Sequence, residues 1–565
     1  VSRPCKVRVG CGRSVHAKLF RVFSLLKKVT RMEYFAVNGV IGRSAYAPRV
    51  DFPGVADLLE HMDYLGVDRM LVEARSALEY SPILGNQKLL EQIAAHCDRL
   101  KPVFVITPAD FYETGTLDWL KAQAAAGNRA FRVDPLKSRF PLRQIERLLA
   151  ELAVYKPLLL LTYSLFGANE LDFRDLEELA RKFPTVNFLL TRQMWDGFGR
   201  VLDLMWRLPN IYLDISWLHM RDAIELIRDE YGAQRLVFGL GFKSHYGAAI
   251  GALAHSSLSE AEIEAVAHGN LERLLGLEPL PNKLAPEHPL LEQKPLWKSF
   301  REGGRLEGVQ TYDAHSHDGP FTRGWVLRDL GVPGKHLDRI MEHVDNNGIE
   351  QIVMVGESAL FSDPVAGNLE FERITKKYRG RLHGYFVFNP YFKEEITEAM
   401  LDEFFSRDFF VGFKVLPAYW QININDPGFT LMWEYAEKHH LPILQHVGND
   451  PHNTPLMLID VAGRYPNAKF LLGHAGGGAA GRLEAEELAL RFPNVYLELC
   501  GTFCSERSVL ESMQVLGNRC FIFGSDTAGH NQSYELAALL SIPLPDQQLI
   551  PILGENFDKI LKDRI

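Results

Sequence analysis

Short apolar runs rich in β-branched and aromatic residues punctuate the second half of the chain: Q-I-V-M-V, L-H-G-Y-F-V-F, F-V-G-F-K-V-L, L-P-I-L-Q-H and A-K-F-L-L-G-H. Each is too short for a helix and reads as a buried strand. Between them lie amphipathic stretches such as L-M-W-E-Y-A-E-K-H-H and L-D-R-I-M-E-H-V-D-N-N-G. These read as helices, the second stopped by its Asn-Asn-Gly. Strands that alternate with helices predict a parallel sheet, and over ~250 residues the best fit is a (β/α)8 TIM barrel. A doubly wound sheet is the alternative. The G-x-G-x-x-G match from Gly476 to Gly481 comes too late to mark a dinucleotide fold.

The pattern is written twice. M-L-V-E-A-R-S-A-L-E-Y-S-P-I-L-G-N (Met70 to Asn86) lies without a gap over I-V-M-V-G-E-S-A-L-F-S-D-P-V-A-G-N (Ile352 to Asn368). A-F-R-V-D-P matches G-F-K-V-L-P, F-P-T-V-N-F-L-L-T-R matches Y-P-N-A-K-F-L-L-G-H, and R-L-V-F-G-L-G matches C-F-I-F-G-S-D. Landmarks recur about 280 residues further on, which identifies a tandem duplication. The expected organisation is a basic leader or mis-assigned start over 1–31, a first barrel over 32–277, a Pro-rich linker over 278–308 and a second barrel over 309–565.

In a barrel, chemistry sits where strands end. His315 and His317 end the first run of the second copy, and their spacing puts both imidazoles on one face of a strand. Lys414 lies in F-V-G-F-K-V-L-P, while His446, His474 and Asp526 end later runs. Neutral imidazoles with a carboxylate suit Zn²⁺ and its neighbours. Cys500, in L-C-G-T-F-C-S with Cys504, reads as small apolar packing at a strand end and is left out of the site.

These residues, with the phrases G-F-K-V-L-P, L-P-I-L-Q-H-V-G, Y-P-N-A-K-F-L-L-G-H-A-G-G-G and F-G-S-D, resemble the amidohydrolase superfamily in its amidohydrolase-related branch of hydrolases, lactonases and decarboxylases. The resemblance covers nearly all of 310–565. It implies that His315, His317, His446 and Asp526 hold one divalent metal, zinc first and manganese as the alternative, with no second metal expected. It also implies that Asp526 takes the proton from metal-activated water and that His474 is an acid/base or carbonyl-polarising group. Lys414 either meets a substrate carboxylate or, carboxylated, joins the ligands. Glu357 and Arg323 are candidate substrate contacts.

The first copy keeps the framework without the ligands. Val37 stands for His315, Gly39 for His317, Arg132 for Lys414, Arg192 for His474 and Gly241 for Asp526; Leu161 or Ser164 answers to His446. This copy should bind no catalytic metal. Arg75, Arg132 and Arg192 either pair with acids such as Glu73 and Asp134 or form an anion pocket.

The 565 residues, 47% hydrophobic and 24% charged, fit two ordinary globular cores. A net charge of −9 gives no reason to expect nucleic acid or an acidic membrane as partner. No apolar run approaches the ~20 residues of a membrane span. Six scattered cysteines suit reduced thiols, hence a cytoplasmic setting, although the nine Lys or Arg of residues 1–31 leave targeting open. The leading expectation is a metal-dependent hydrolase of a small carboxylate-bearing lactone, ester or amide. A nonoxidative decarboxylase is the alternative, and a non-catalytic scaffold is the reading from another class. An intramolecular pseudo-dimer of the two barrels, or a homo-oligomer, is the expected assembly.

Overall fold

The computed structural model describes residues 32–45, 51–162, 170–194, 197–282, 284–319, 335–501 and 507–565. Residues 1–31, Arg323, Ser164 and Cys504 therefore lie outside the described residues. The strands form two eight-stranded parallel sheets, each in strict chain order. The first runs β1 (Phe35–Ile41), β2 (Arg69–Ala74), β3 (Leu100–Val105), β4 (Ala130–Val133), β5 (Leu158–Thr162), β6 (Asn187–Thr191), β7 (Ile211–Asp214) and β8 (Leu236–Val237). The second runs β9 (Tyr312–His317), β10 (Gln351–Val355), β11 (Leu382–Val387), β12 (Phe410–Val415), β13 (Pro442–His446), β14 (Lys469–Gly473), β15 (Val495–Glu498) and β16 (Phe521–Ile522). Residues just past the last strand return to the first, through a Val37–Gly239 bridge in one sheet and a Ser316–Thr527 bridge in the other. A doubly wound sheet would leave two open edges. The chain is instead two (β/α)8 TIM barrels in tandem, as the alternation of runs predicts.

The repeated S-A-L…P…G-N phrase has a physical reason. A Cβ on Gly85 would lie 2.3 Å from the Ala77 nitrogen, and one on Gly367 2.4 Å from that of Ala359. Only glycine lets the two helical turns approach so closely. The following asparagine then ties the helix to the end of the next strand. Asn86 donates to the Val105 carbonyl at 2.8 Å and accepts from its N–H at 3.0 Å; Asn368 does the same at Val387, at 3.1 and 3.0 Å. The phrase is a requirement of the scaffold, so it persists in both copies.

The barrels meet through the helices that follow their last strands, Ala248–Ala254 and Gln532–Leu540. The crossing is tight, since a Cβ on Gly251 would fall 2.2 Å from that of Ala537. Beside it, the segment after β7 reaches the second barrel. Asn531 N–H donates to the His219 carbonyl at 2.6 Å, Arg221 N–H to Gly529 at 3.1 Å, and the His219 and His530 rings lie 4.5 Å apart. Asp222, 2% exposed, receives a two-point bond from Arg339 at 2.6 and 2.8 Å. The connecting segment is packed as well: the buried Lys294 ammonium donates to the carbonyls of Ile542 and Leu544 at 2.9 and 2.6 Å.

Candidate active site

Each side chain of the second-barrel site comes from a strand end or the turn after it. β9 supplies His315 and His317, and a register shift in its ladder with β10 falls between Ile352 and Met354. Such a shift re-aims side chains beside functional sites. His317 Nε2 lies 3.1 Å and His315 Nε2 3.6 Å from the same Asp526 oxygen, Oδ1. The three ligand atoms lie within 4.8 Å of one another, close enough to share one cation.

The opposite edge of each imidazole is tied to a carboxylate. His315 Nδ1 donates to Glu498 at 2.7 Å and His317 Nδ1 to Glu357 at 2.5 Å. This pairing directs both Nε2 atoms toward Asp526, the arrangement that orients histidines around metals. The donor set therefore fits a divalent ion. Gly524, in F-G-S-D, makes room: a Cβ there would lie 2.3 Å from Glu498 Oε1 and 2.6 Å from His315 Cβ. Asp313 braces the turn, accepting from Ser525 N–H at 2.9 Å and from Gln532 at 2.7 Å.

Electrostatics follow from this packing. Burial would raise the Asp526 carboxyl, but His315 and His317 outweigh it and hold it well below the usual carboxylate range. Burial likewise works against charge on His317, yet Glu357 and Asp526 hold it up to about 9. His315 and His446 are pushed well down by burial, and His474 falls to about 4.

His446 lies outside the His315–His317–Asp526 cluster; its Nδ1 sits 3.0 Å from His474 Nε2. Lys414 is fully buried with Nζ 2.7 Å from His315 Nε2, and burial lowers its pKa. Glu357, a candidate substrate contact, holds His317. Cys500 corrects the apolar-packing reading, because its Sγ lies 3.0 Å from His315 Nδ1 and 3.3 Å from His474 Nδ1.

Sequence reasoning missed Glu498 and the His530–Glu535 pair, whose His530 Nε2 lies 3.9 Å from Asp526 Oδ2. The signal for Glu498 was present in the repeat. Y-L-D-I in the first copy and Y-L-E-L in the second both end β7 or β15 with an acid, and Asp214 and Glu498 are both wholly buried.

In the first barrel, Arg132 occupies the Lys414 position and pairs with Glu73 at 2.8 Å. Its other nitrogens reach Thr191 at 2.9 Å, Thr162 at 3.2 Å and Asn38 at 3.3 Å. Arg75 pairs with Glu79 at 3.2 Å. Arg192 keeps the left-handed backbone of its counterpart, φ 59° against 60° at His474. Among the described residues, a first-barrel trio that could hold a metal, Glu33, His268 and Glu272, lies at the opposite end of the strands. Arg69 reaches both carboxylates there and occupies the centre with its own charge.

The family model described as amidohydrolase matches residues 54–277 and 364–562. No curated protein matches the chain. Among solved structures, 2,6-dihydroxybenzoate decarboxylase from Rhizobium is 14% identical at a TM-score of 0.34, covering 44% of this chain and 99% of its own. A probable 2-pyrone-4,6-dicarboxylic acid hydrolase from Acinetobacter baumannii is 16% identical at 0.34, covering 45% and 100%. A 5-carboxyvanillate decarboxylase from Novosphingobium aromaticivorans, complexed with manganese, is 14% identical at 0.37, covering 45% and 96%.

Proposed function

Because the chain belongs to the amidohydrolase family, we propose that its second barrel is a metal-dependent hydrolase opening a lactone, ester or amide bond in a small carboxylate-bearing substrate. The observation that supports it most is the convergence of His315 and His317 on one oxygen of an ionised Asp526. These three residues, completed by His446, would hold the ion, which when bound polarises a carbonyl and acidifies water.

The chain's own groups do the rest. Glu498 and Glu357 fix the tautomers of His315 and His317. Asp526, kept anionic at neutral pH, accepts the proton of the attacking water and returns it to the leaving group. His474 is neutral at that pH; its Nδ1 donates to the Cys500 carbonyl at 3.2 Å, so its Nε2 accepts from His446 Nδ1 at 3.0 Å and is the atom at which it can take up a proton as an acid/base group. Lys414 meets the substrate carboxylate beside His315; a carboxylated Lys414 would instead recruit a second ion.

Metal analysis tests the site, with about one divalent ion per chain expected and lost in His315→Ala plus His317→Ala. A chain that takes up none when supplied with Zn²⁺ or Mn²⁺ refutes the reading. Two ions per chain would move Lys414 to the ligand role. Panels of lactones, esters and aromatic acids, scored for acid release against CO₂ release, test the reaction; CO₂ release alone would replace hydrolysis with decarboxylation. Asp526→Asn should lower turnover ~10²–10⁴-fold while leaving the fold intact.

A further inference from the structure

The first barrel has a cavity of about 190 Å³ where its strands end. Arg75, Arg132, Lys137 and Arg192 line it, and Phe52 and Phe242 wall it on the apolar side. The surrounding carboxylates are already engaged. Glu73 holds Arg132, Glu79 bridges Arg75 and Lys137, Asp134 caps a helical turn through the Lys137 N–H, and Asp51 accepts from the Lys243 N–H. Buried Asp214 accepts from Asn38 and from the backbone of Arg192.

The Arg192 guanidinium stands apart from this network. Among the described residues its side chain makes no direct ion pair, its buried Nε has no hydrogen-bond partner, the Phe242 ring lies 5.1 Å away, and the Glu73, Asp214 and Asp51 carboxylates act on it only from a distance. The buried Nε of Arg75, on the same cavity, is also without a partner. Arginine cannot shed its proton to escape burial, and this half-buried guanidinium keeps its charge without a hydrogen-bonded carboxylate.

We propose that the first barrel binds a small organic monocarboxylate, its carboxylate on the Arg192 guanidinium and its apolar body between Phe52 and Phe242. One cation with no carboxylate hydrogen-bonded to it has a place for one negative charge. Phosphate carries more charge, has no apolar body, and would face Glu73, Asp51 and Asp134 across the cavity. The volume is below that of drug-sized pockets and limits the ligand to a few carbon atoms or one ring. Arg192 occupies the position of His474, so the copy without metal ligands retains a binding site in the same part of the barrel. This inference does not depend on the second barrel being a hydrolase.

Calorimetric titration of the metal-stripped full chain with acetate and benzoate tests it, with benzamide and inorganic phosphate as comparators. Benzoate should occupy one site at least tenfold more tightly than neutral benzamide, because a hydrogen bond to a charged group is worth about that much. That contrast requires no variant. Arg192→Gln should weaken benzoate at least tenfold, Arg192→Lys less, and His315→Ala plus His317→Ala should leave it unchanged. Failure of both carboxylates to bind overturns the proposal. Equal affinity for benzamide, tighter binding of phosphate, unaltered binding by Arg192→Gln, or loss in the histidine double variant would each do the same.

Discussion

Replacing Arg132 with methionine tests the ion pair that stands in the first barrel at the Lys414 position. Glu73 aligns with Val355, so the second barrel has no acid there, whereas the first sets Glu73 against Arg132 at 2.8 Å. Both are nearly buried, 4% and 6% exposed at the side chain, and the pair is screened little by solvent. Arg132→Met removes the cation and leaves the carboxylate uncompensated, a situation that costs ~3–5 kcal/mol. The threonines contribute little to that figure, since Thr162 and Thr191 remain bonded to each other at 3.0 Å. Adding Glu73→Leu removes the stranded charge. Buried pairs replaced by apolar residues are often neutral, so the double variant should return to within ~1–2 kcal/mol of the parent. Urea unfolding of the full chain, followed by tryptophan fluorescence, measures both. A double variant no more stable than Arg132→Met, or a single variant within ~1 kcal/mol of the parent, would refute the reasoning.

Other predictions concern the contact between barrels and the second-barrel site. Gly251→Ala should lower the thermal midpoint, because overpacking against Ala537 costs ~1–3 kcal/mol and exceeds the ~1 kcal/mol gained in helix propensity; Ala537→Gly should restore it, and a midpoint raised by Gly251→Ala alone would contradict the packing described. Metal uptake should release protons below pH 9, since Glu357 and Asp526 hold His317 at about 9 and a ligand must be neutral. Apparent affinity then falls as pH drops from 9 to 7, by up to ~tenfold per unit, and a flat profile in buffers of differing ionisation enthalpy would count against it. Glu498→Gln should weaken metal binding ~10–100-fold through the loosened His315 ring, with benzoate binding in the first barrel as the unaffected control.

Much of the fold was legible because its determinants are local and repeated. Gly85 and Asn86 recur as Gly367 and Asn368 because both copies need the same close turn and the same tie to the next strand. The ends of the apolar runs located His315, His317, Lys414, His474 and Asp526 for the same reason. The groups that orient those residues were harder to see. Glu498 lies 183 residues from His315 and meets it only through barrel closure. Cys500 has an apolar character in sequence, and nothing nearby says that it faces two imidazoles. The acids that would partner the first-copy arginines were also ambiguous in sequence: Glu73 takes Arg132 and Glu79 takes Arg75, and only three-dimensional packing leaves Arg192 over.

The segment after β7 of the first barrel, with His219 against His530 and Asp222 gripping Arg339, has a consequence for symmetry. In a homodimer built on this contact, any substitution strikes both subunits, so loss of a ligand histidine removes every working site. Joining the copies in one chain breaks that equivalence: the strand ends of the two barrels can differ while the β7 contact is kept. The tether also sets the effective concentration of one barrel at the other by linker geometry rather than by expression level, so the contact survives dilution.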